Sequence, residues 1–213
     1  MHLTPELLER LEREYGRPEL GRAEAVFSDS EFDLLRYCAR KQRVHDVTLF
    51  IRGVDGRFAV IRKPSYPPEI FRPPSGGVEQ EESFEEGAAR EALEEAGLAI
   101  RLERYLLRVN ARFSCAGEIA PWSTHVFLAS TPETNLAPRD LREIAEARWA
   151  AVEEMVGEYR PRMLALGSEG FRYRVDLQDS ALRLMGLADP PPPPSGRLIL
   201  PGDKVPGGPP PGS

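Results

Sequence analysis

The chain has 213 residues and a formal net charge of −6, enough for one αβ domain with appendages. The acidic balance argues against general nucleic-acid binding but leaves nucleotides open, because a bound metal reverses the local sign. Cys38 and Cys115 are too far apart to suggest a metal site or disulfide scaffold and fit a cytoplasmic protein; the first residues lack signal-peptide features, and no apolar run approaches ~18 residues, so neither leader nor membrane span is expected.

Thr4-Pro5 reads as an N-cap and first helical position, with Leu7, Leu8 and Leu11 at helical spacing and Gly16 as a stop. A second helix is expected from Ser28, where Ser28 and Glu31 fit a capping box. Residues 1–43 therefore read as an N-terminal helical extension. From Val47 the period becomes two, and 47–51 and 58–61 flank Gly53-Val54-Asp55-Gly56 as a hairpin. A proline-rich loop covers residues 63–74, and a helix spans 84–96. Strands follow at about 99–112, 122–130 and 148–152, then helices at about 153–166 and 178–186. Residues 44–188 form the main domain. Residues 189–213 begin with Pro190–Pro194 and have little to bury, so they read as an extended, flexible tail.

Chemistry concentrates between Gly76 and Leu98. Ser83 with Glu86 makes a capping box, and Gly97 is a natural stop. Ala88, Ala89, Ala92, Leu93 and Ala96 fall on one face, expected to be the buried one. Glu91, Glu94 and Glu95 fall on another at i, i+3 and i+4, where like charges repel by roughly 0.2–0.5 kcal/mol per pair. A solvated acidic face usually carries basic partners one turn away. Here Arg90 stands alone among many glutamates, which favours a missing hard cation such as Mg²⁺ or Mn²⁺. Arg90 is placed to orient Glu82 or Glu91, and the Gly76-Gly77 turn allows a backbone carbonyl to approach as a ligand.

The stretch Gly76, Glu82, Arg90-Glu91-Ala92-Leu93-Glu94-Glu95-Ala96-Gly97-Leu98 resembles the Nudix box, with Ala92 where a larger aliphatic residue is usual. The resemblance implies a mixed sheet in an αβα sandwich (class α/β, or α+β) and a Mg²⁺-dependent pyrophosphohydrolase, with Mn²⁺ as a substitute. It implies Glu94 and Glu95 as metal ligands, Glu91 as ligand or general base, Glu82 assisting, Arg90 orienting, and the Ser75 or Gly76 carbonyl completing the shell. Glu143 and Glu146, before Arg148-Trp149, match the loop glutamate that serves as ligand or base in similar proteins; a solvated loop edge is the alternative for each. It also implies a homodimer, with the N-terminal helices at its interface or covering the site.

The implied substrate is a nucleoside diphosphate linked to another group. Pro74-Ser75-Gly76-Gly77 resembles the motif of ADP-sugar pyrophosphatases. Against that subgroup, Arg72-Pro73 stand where an acidic residue is usual, and Arg112-Phe113-Ser114 where a proline is usual. Phe113 lacks the hydroxyl of the tyrosine common in dinucleoside-polyphosphate hydrolases. Nucleoside triphosphates, dinucleoside polyphosphates and a non-catalytic sensor are the alternatives, and the surroundings of Cys115 do not match a prenyl-diphosphate isomerase. Tyr66, Phe71 and Arg72 are candidates to stack on or clamp the substrate, with Glu143 as a further contact. His125, Trp122 and Trp149 read as packing residues.

Overall fold

Both N-terminal capping signals start helices. α1 spans Pro5–Tyr15, and the Leu7 amide donates to the Thr4 hydroxyl at 3.2 Å. α2 spans Asp29–Arg40 behind the Ser28/Glu31 capping box. This computed structural model describes residues 4–41, 43–79, 82–191 and 198–201. Between the two helices Glu19–Val26 forms β1, a strand that the sequence reading does not flag. Its buried side is Gly21, Ala23 and Ala25, alternating with exposed Arg22 and Glu24. The period of two is present, but small residues carry it.

The expected hairpin forms as antiparallel β2 (His45–Arg52) and β3 (Phe58–Arg62). The short β4 (Ser75–Gly76) pairs with β2 and brings the Gly-Gly turn onto the sheet. After α3 (Phe84–Glu95), β5 (Arg101–Cys115) and β6 (Glu118–Ser130) make one long hairpin, extending beyond the expected strand ends. Its turn residues Ala116 and Gly117 both have positive φ, 48° and 89°, the twist that joins antiparallel strands tightly. β7 spans Glu146–Ala150. The helix expected near 153–166 is broken into α4 (Val152–Glu154), a π-helical stretch at Met155–Tyr159 and α5 (Arg160–Ala165). Pro161, with no amide proton for the ladder, sits where the π stretch ends. α6 (Glu169–Leu184) starts well before the expected residue 178, with Ser168 as its N-cap. Within the Pro/Gly-rich tail, residues 192–197 and 202–213 lie outside the described residues. Leu198–Ile199 form β8, which docks on β1 rather than remaining free.

The sheet runs β7-β3-β2-β6-β5-β1-β8, with β4 beside β2. The β2–β6 and β1–β5 pairs are parallel and the others antiparallel, so the sheet is mixed. Strand alternation feeds two cores. On one face Val47, Leu49 and Ile51 pack with Leu11 of α1 and with Phe84, Ala88 and Ala92 of α3. On the other, Phe50, Val60 and Val109 pack with Met163, Val175 and Ala181 of α5 and α6. Helices on both faces give the αβα sandwich. Leu11 is fully buried, which contributes about 1.5–3 kcal/mol to holding α1 in place. Arg10 of α1 also grips Glu85 of α3 through two hydrogen bonds of 2.7 and 2.8 Å. Among the described residues no helix is long and apolar enough to cross a membrane, and both cysteines are free.

Candidate active site

α3 begins as its sequence dictates. The Glu86 amide donates to the Ser83 hydroxyl at 3.2 Å, and the Ser83 amide donates to the Glu86 carboxylate at 2.8 Å. It ends at Gly97, whose φ is +73° and where a Cβ would stand 2.0 Å from the Ala137 carbonyl oxygen. The buried face differs from the expected one. Ala89 is exposed and Leu93 half-buried, while Glu91 and Glu95 join Phe84, Gly87, Ala88 and Ala92 inside. The cause is the 72–78 segment, which passes over the acidic side of the helix and covers it.

Arg90 organises that side. Its Nε donates to Glu82 Oε1 at 2.6 Å, its Nη1 to Glu91 at 2.8 Å and Glu94 at 3.0 Å, and its Nη2 to the Gly77 carbonyl at 2.8 Å. It thus holds both carboxylates proposed as its partners, together with a third. The Arg90 hydrogen bond keeps the Glu82 carboxyl below its usual range. Burial pushes Glu91 up to about 7; Arg90 opposes this, and Glu95 and Glu94 add to it. Gly76 lies directly on the Glu91 carboxylate, and a Cβ there would stand 2.0 Å from it.

Glu95 anchors the loop. Its Oε2 accepts from the Ser75 amide at 2.7 Å and its Oε1 from Arg72 Nη2 at 3.3 Å. Arg72, expected to meet substrate, is 1% exposed. Its Nη1 donates to the Pro73 carbonyl at 2.8 Å and the Ser75 hydroxyl at 3.0 Å, so it braces the loop from within. Phe71 corrects the expectation outright. It is fully buried, packed on Tyr159 with the Arg148 guanidinium 3.8 Å from its ring centre, and presents no face to a ligand. Tyr66 does line the cleft; burial raises its phenol, but the charges of Arg72 and Arg174 outweigh that and bring it to about 8.

The two loop glutamates separate. Glu143 lies on the cleft, paired to Lys63 at 2.9 Å. Glu146 is at the start of β7, paired to Arg148 at 2.8 Å and Arg62 at 3.4 Å, and is not on the cleft lining.

The cleft holds about 660 Å³ and continues away from α3 between α2 and α6. There Asp46 Oδ1 accepts from Trp122 Nε1 at 3.0 Å and from the Thr124 hydroxyl at 2.7 Å, and the Tyr173 hydroxyl donates to Thr124 at 2.9 Å. Burial raises the Asp46 carboxyl; the Thr124 hydrogen bond and the Arg174 charge pull the other way. Arg174 donates to the Ser75 hydroxyl at 3.1 Å, the same oxygen that takes Arg72. Burial lowers its pKa, and the charge of Arg72 adds to that. The sequence reading misses Asp46, Thr124, Tyr173 and Arg174, and gives Trp122 only a packing role. Ser168 was the available signal for α6, as an N-cap candidate after Gly167. His125 is the core residue expected, fully buried and hydrogen-bonded to the Tyr105 hydroxyl, with burial holding its pKa near 3.

Among the described residues no three acidic, histidine or cysteine side chains already stand together as a metal cluster. The donor chemistry nonetheless fits a hard divalent cation: the groups are all oxygens, and buried Glu91 rests against a backbone cradle that only glycine leaves open.

The NUDIX domain model matches residues 42–170. Among solved structures, a MutT protein from Methanosarcina mazei is 23% identical, over 54% of this chain and 80% of that one, with a TM-score of 0.40. An Ap4A hydrolase from C. elegans is 24% identical, over 55% and 85%, with a TM-score of 0.41. A UDP-X diphosphatase is 19% identical, over 59% and 61%, with a TM-score of 0.42.

Proposed function

The chain belongs to the NUDIX family and is a hydrolase of diphosphate bonds, and from that premise we propose that it cleaves a nucleoside diphosphate linked to another group, such as a nucleotide sugar, with Mg²⁺ or Mn²⁺. The observation that carries this reading is the buried Glu91 carboxyl, pushed up to about 7 and pressed against Gly76, with Glu94 and Glu95 on the same helix. Glu91 and Glu94 would hold the cation with the Gly76 carbonyl. Glu95 would add the lone pairs not taken by Ser75 and Arg72. A bound divalent cation offsets charge on the diphosphate and lowers the pKa of its water.

The chain's own groups do the rest. Arg90 holds Glu82, Glu91 and Glu94 in fixed directions along one side of the helix. Arg72 and Glu95 fix the loop that carries Gly76. Glu143, the loop glutamate on the cleft, takes the proton from the attacking water in place of Glu146. The water oxygen joins one phosphorus, the bridging P–O bond breaks, and two phosphomonoesters leave. The reading also carries a cytoplasmic location and a homodimer, and light scattering at micromolar concentration tests the dimer.

The test of the reaction is a panel of ADP-ribose, other nucleotide sugars, diadenosine polyphosphates, nucleoside triphosphates and coenzyme A, followed by phosphorus NMR. Two phosphomonoesters from a nucleotide sugar are expected. Release of inorganic pyrophosphate from triphosphates alone would replace this substrate class.

A further inference from the structure

Resting on the hydrolase reading, we propose that the far end of the cleft is a nucleobase site in which Asp46 selects bases carrying an exocyclic amino group. Two opposite charges in this cleft, Asp46 and Arg174, feel each other but are not joined in a salt bridge. Among the described residues Asp46 accepts only from Trp122 and Thr124, and the hydrogen bond of Arg174 goes to the neutral Ser75 hydroxyl. Charges held apart in a half-buried cleft keep hydrogen-bonding capacity that a ligand can complete. A nucleotide carries both complements: phosphate for the guanidinium and N–H groups for the carboxylate.

The hydrogen-bond pattern makes the selection directional. The Tyr173 hydroxyl points to Thr124, and Thr124 and Trp122 both point to Oδ1 of Asp46. Among the described residues Oδ2 makes no hydrogen bond, and Asp46 lines the cleft, so Oδ2 is the oxygen left to accept from a ligand. The walls suit a flat ring. Phe113 and Tyr173 meet edge to face at 5.1 Å, Tyr66 and Phe171 at 4.9 Å, and Leu34 of α2 is 62% exposed above them. Adenine, guanine and cytosine offer an amino group to Oδ2. Uracil has no amino group: its one edge donor, N3–H, is flanked by two carbonyl oxygens that a carboxylate repels.

The same pattern dictates what Asp46→Asn does. Two donors hold the acceptor at Oδ1, so the asparagine NH₂ must take the Oδ2 position. A donor then faces the cleft where an acceptor stood, and preference should turn toward uracil.

The experiment is calorimetric binding of AMP and UMP to the full chain with Mg²⁺. Neither ligand has an anhydride, so recognition is read apart from hydrolysis. Wild type should bind AMP roughly tenfold tighter than UMP, and Asp46→Asn should erase or reverse that ratio. AMP dimethylated on its exocyclic nitrogen repeats the test from the ligand side without altering the protein, and should lose a similar factor. Equal affinities in wild type, a uracil preference, no binding of either ligand, or an unchanged ratio in Asp46→Asn would overturn the proposal. If the AMP preference holds while the substrate panel yields no turnover, the base site stands and the hydrolase reading fails instead.

Discussion

At one end of the cleft Glu91, Glu94 and Glu95 sit within two turns of a single helix, the first two held by Arg90 of the same helix and Glu95 by Arg72 and Ser75. At the other end Asp46, Trp122, Thr124 and Tyr173 come from β2, β6 and α6, residues 46 to 173 of the chain. The first is the more local device: capping box, helix period and glycine stop set the helix, and the 72–78 loop that covers it lies close by in sequence. The second exists only once the sheet is formed and α6 has closed over it. Hydrolysis and recognition are therefore separable, and substitutions at one end should leave the other readable.

The largest effect expected from this separation is at Gly76. The three atoms nearest a Cβ there all belong to the tip of the Glu91 side chain, which can swing aside, so Gly76→Ala should fold normally. The displaced carboxylate should lower kcat by about 10–100-fold, while the AMP-to-UMP ratio stays as in wild type. A change in that ratio would show that the two ends are coupled.

Arg174→Gln should act in the opposite sense. Removing a guanidinium that meets phosphate should weaken AMP and UMP alike by about tenfold, with no change in base preference. Selective loss of one nucleotide in calorimetry would place Arg174 on the base instead.

A smaller effect concerns stability and pH at the carboxylate end. Glu91 is raised in the folded state from an ordinary 4.5 to about 7, so the folded chain holds this proton more tightly than the unfolded one. Its contribution is fully present below about pH 4.5 and is lost as pH rises through about 7. Without metal, wild type should lose up to about 3 kcal/mol across that window relative to Glu91→Gln, as read by urea unfolding at pH 5 and pH 8. Parallel curves for the two proteins would contradict the burial argument.

The same contrast explains what was legible in the sequence. The α3 boundaries, the hairpin around Gly53–Gly56 and both N-terminal helix starts follow from local signals, and they appear where those signals put them. β1 was hidden because Gly21, Ala23 and Ala25 give an alternation too weak in apolar character to stand out. The first half of α6 was hidden because Arg172, Arg174 and Asp176 blur its apolar stripe. Ala89 and Glu95 exchange their expected burial because a loop from outside the helix covers the acidic side, which no helical wheel contains. Phe71 and Arg72 lie in the proline loop, where a substrate clamp would be placed, but Tyr159 and Glu95 draw them inward. Asp46 had no local signal at all. Its meaning depends on Trp122 and Thr124 of β6, which lies beside β2 in the sheet.

The central claim is that the α3 carboxylates perform the hydrolysis. The most direct measurement is kcat of Glu94→Gln beside wild type on the best substrate of the panel, with circular dichroism to establish that the variant is folded. Glu94 is the least buried of the three helix carboxylates, so the amide should fold as wild type does. The account predicts a fall of about a hundredfold or more with the AMP preference retained. A folded Glu94→Gln that turns over at the wild-type rate would contradict it.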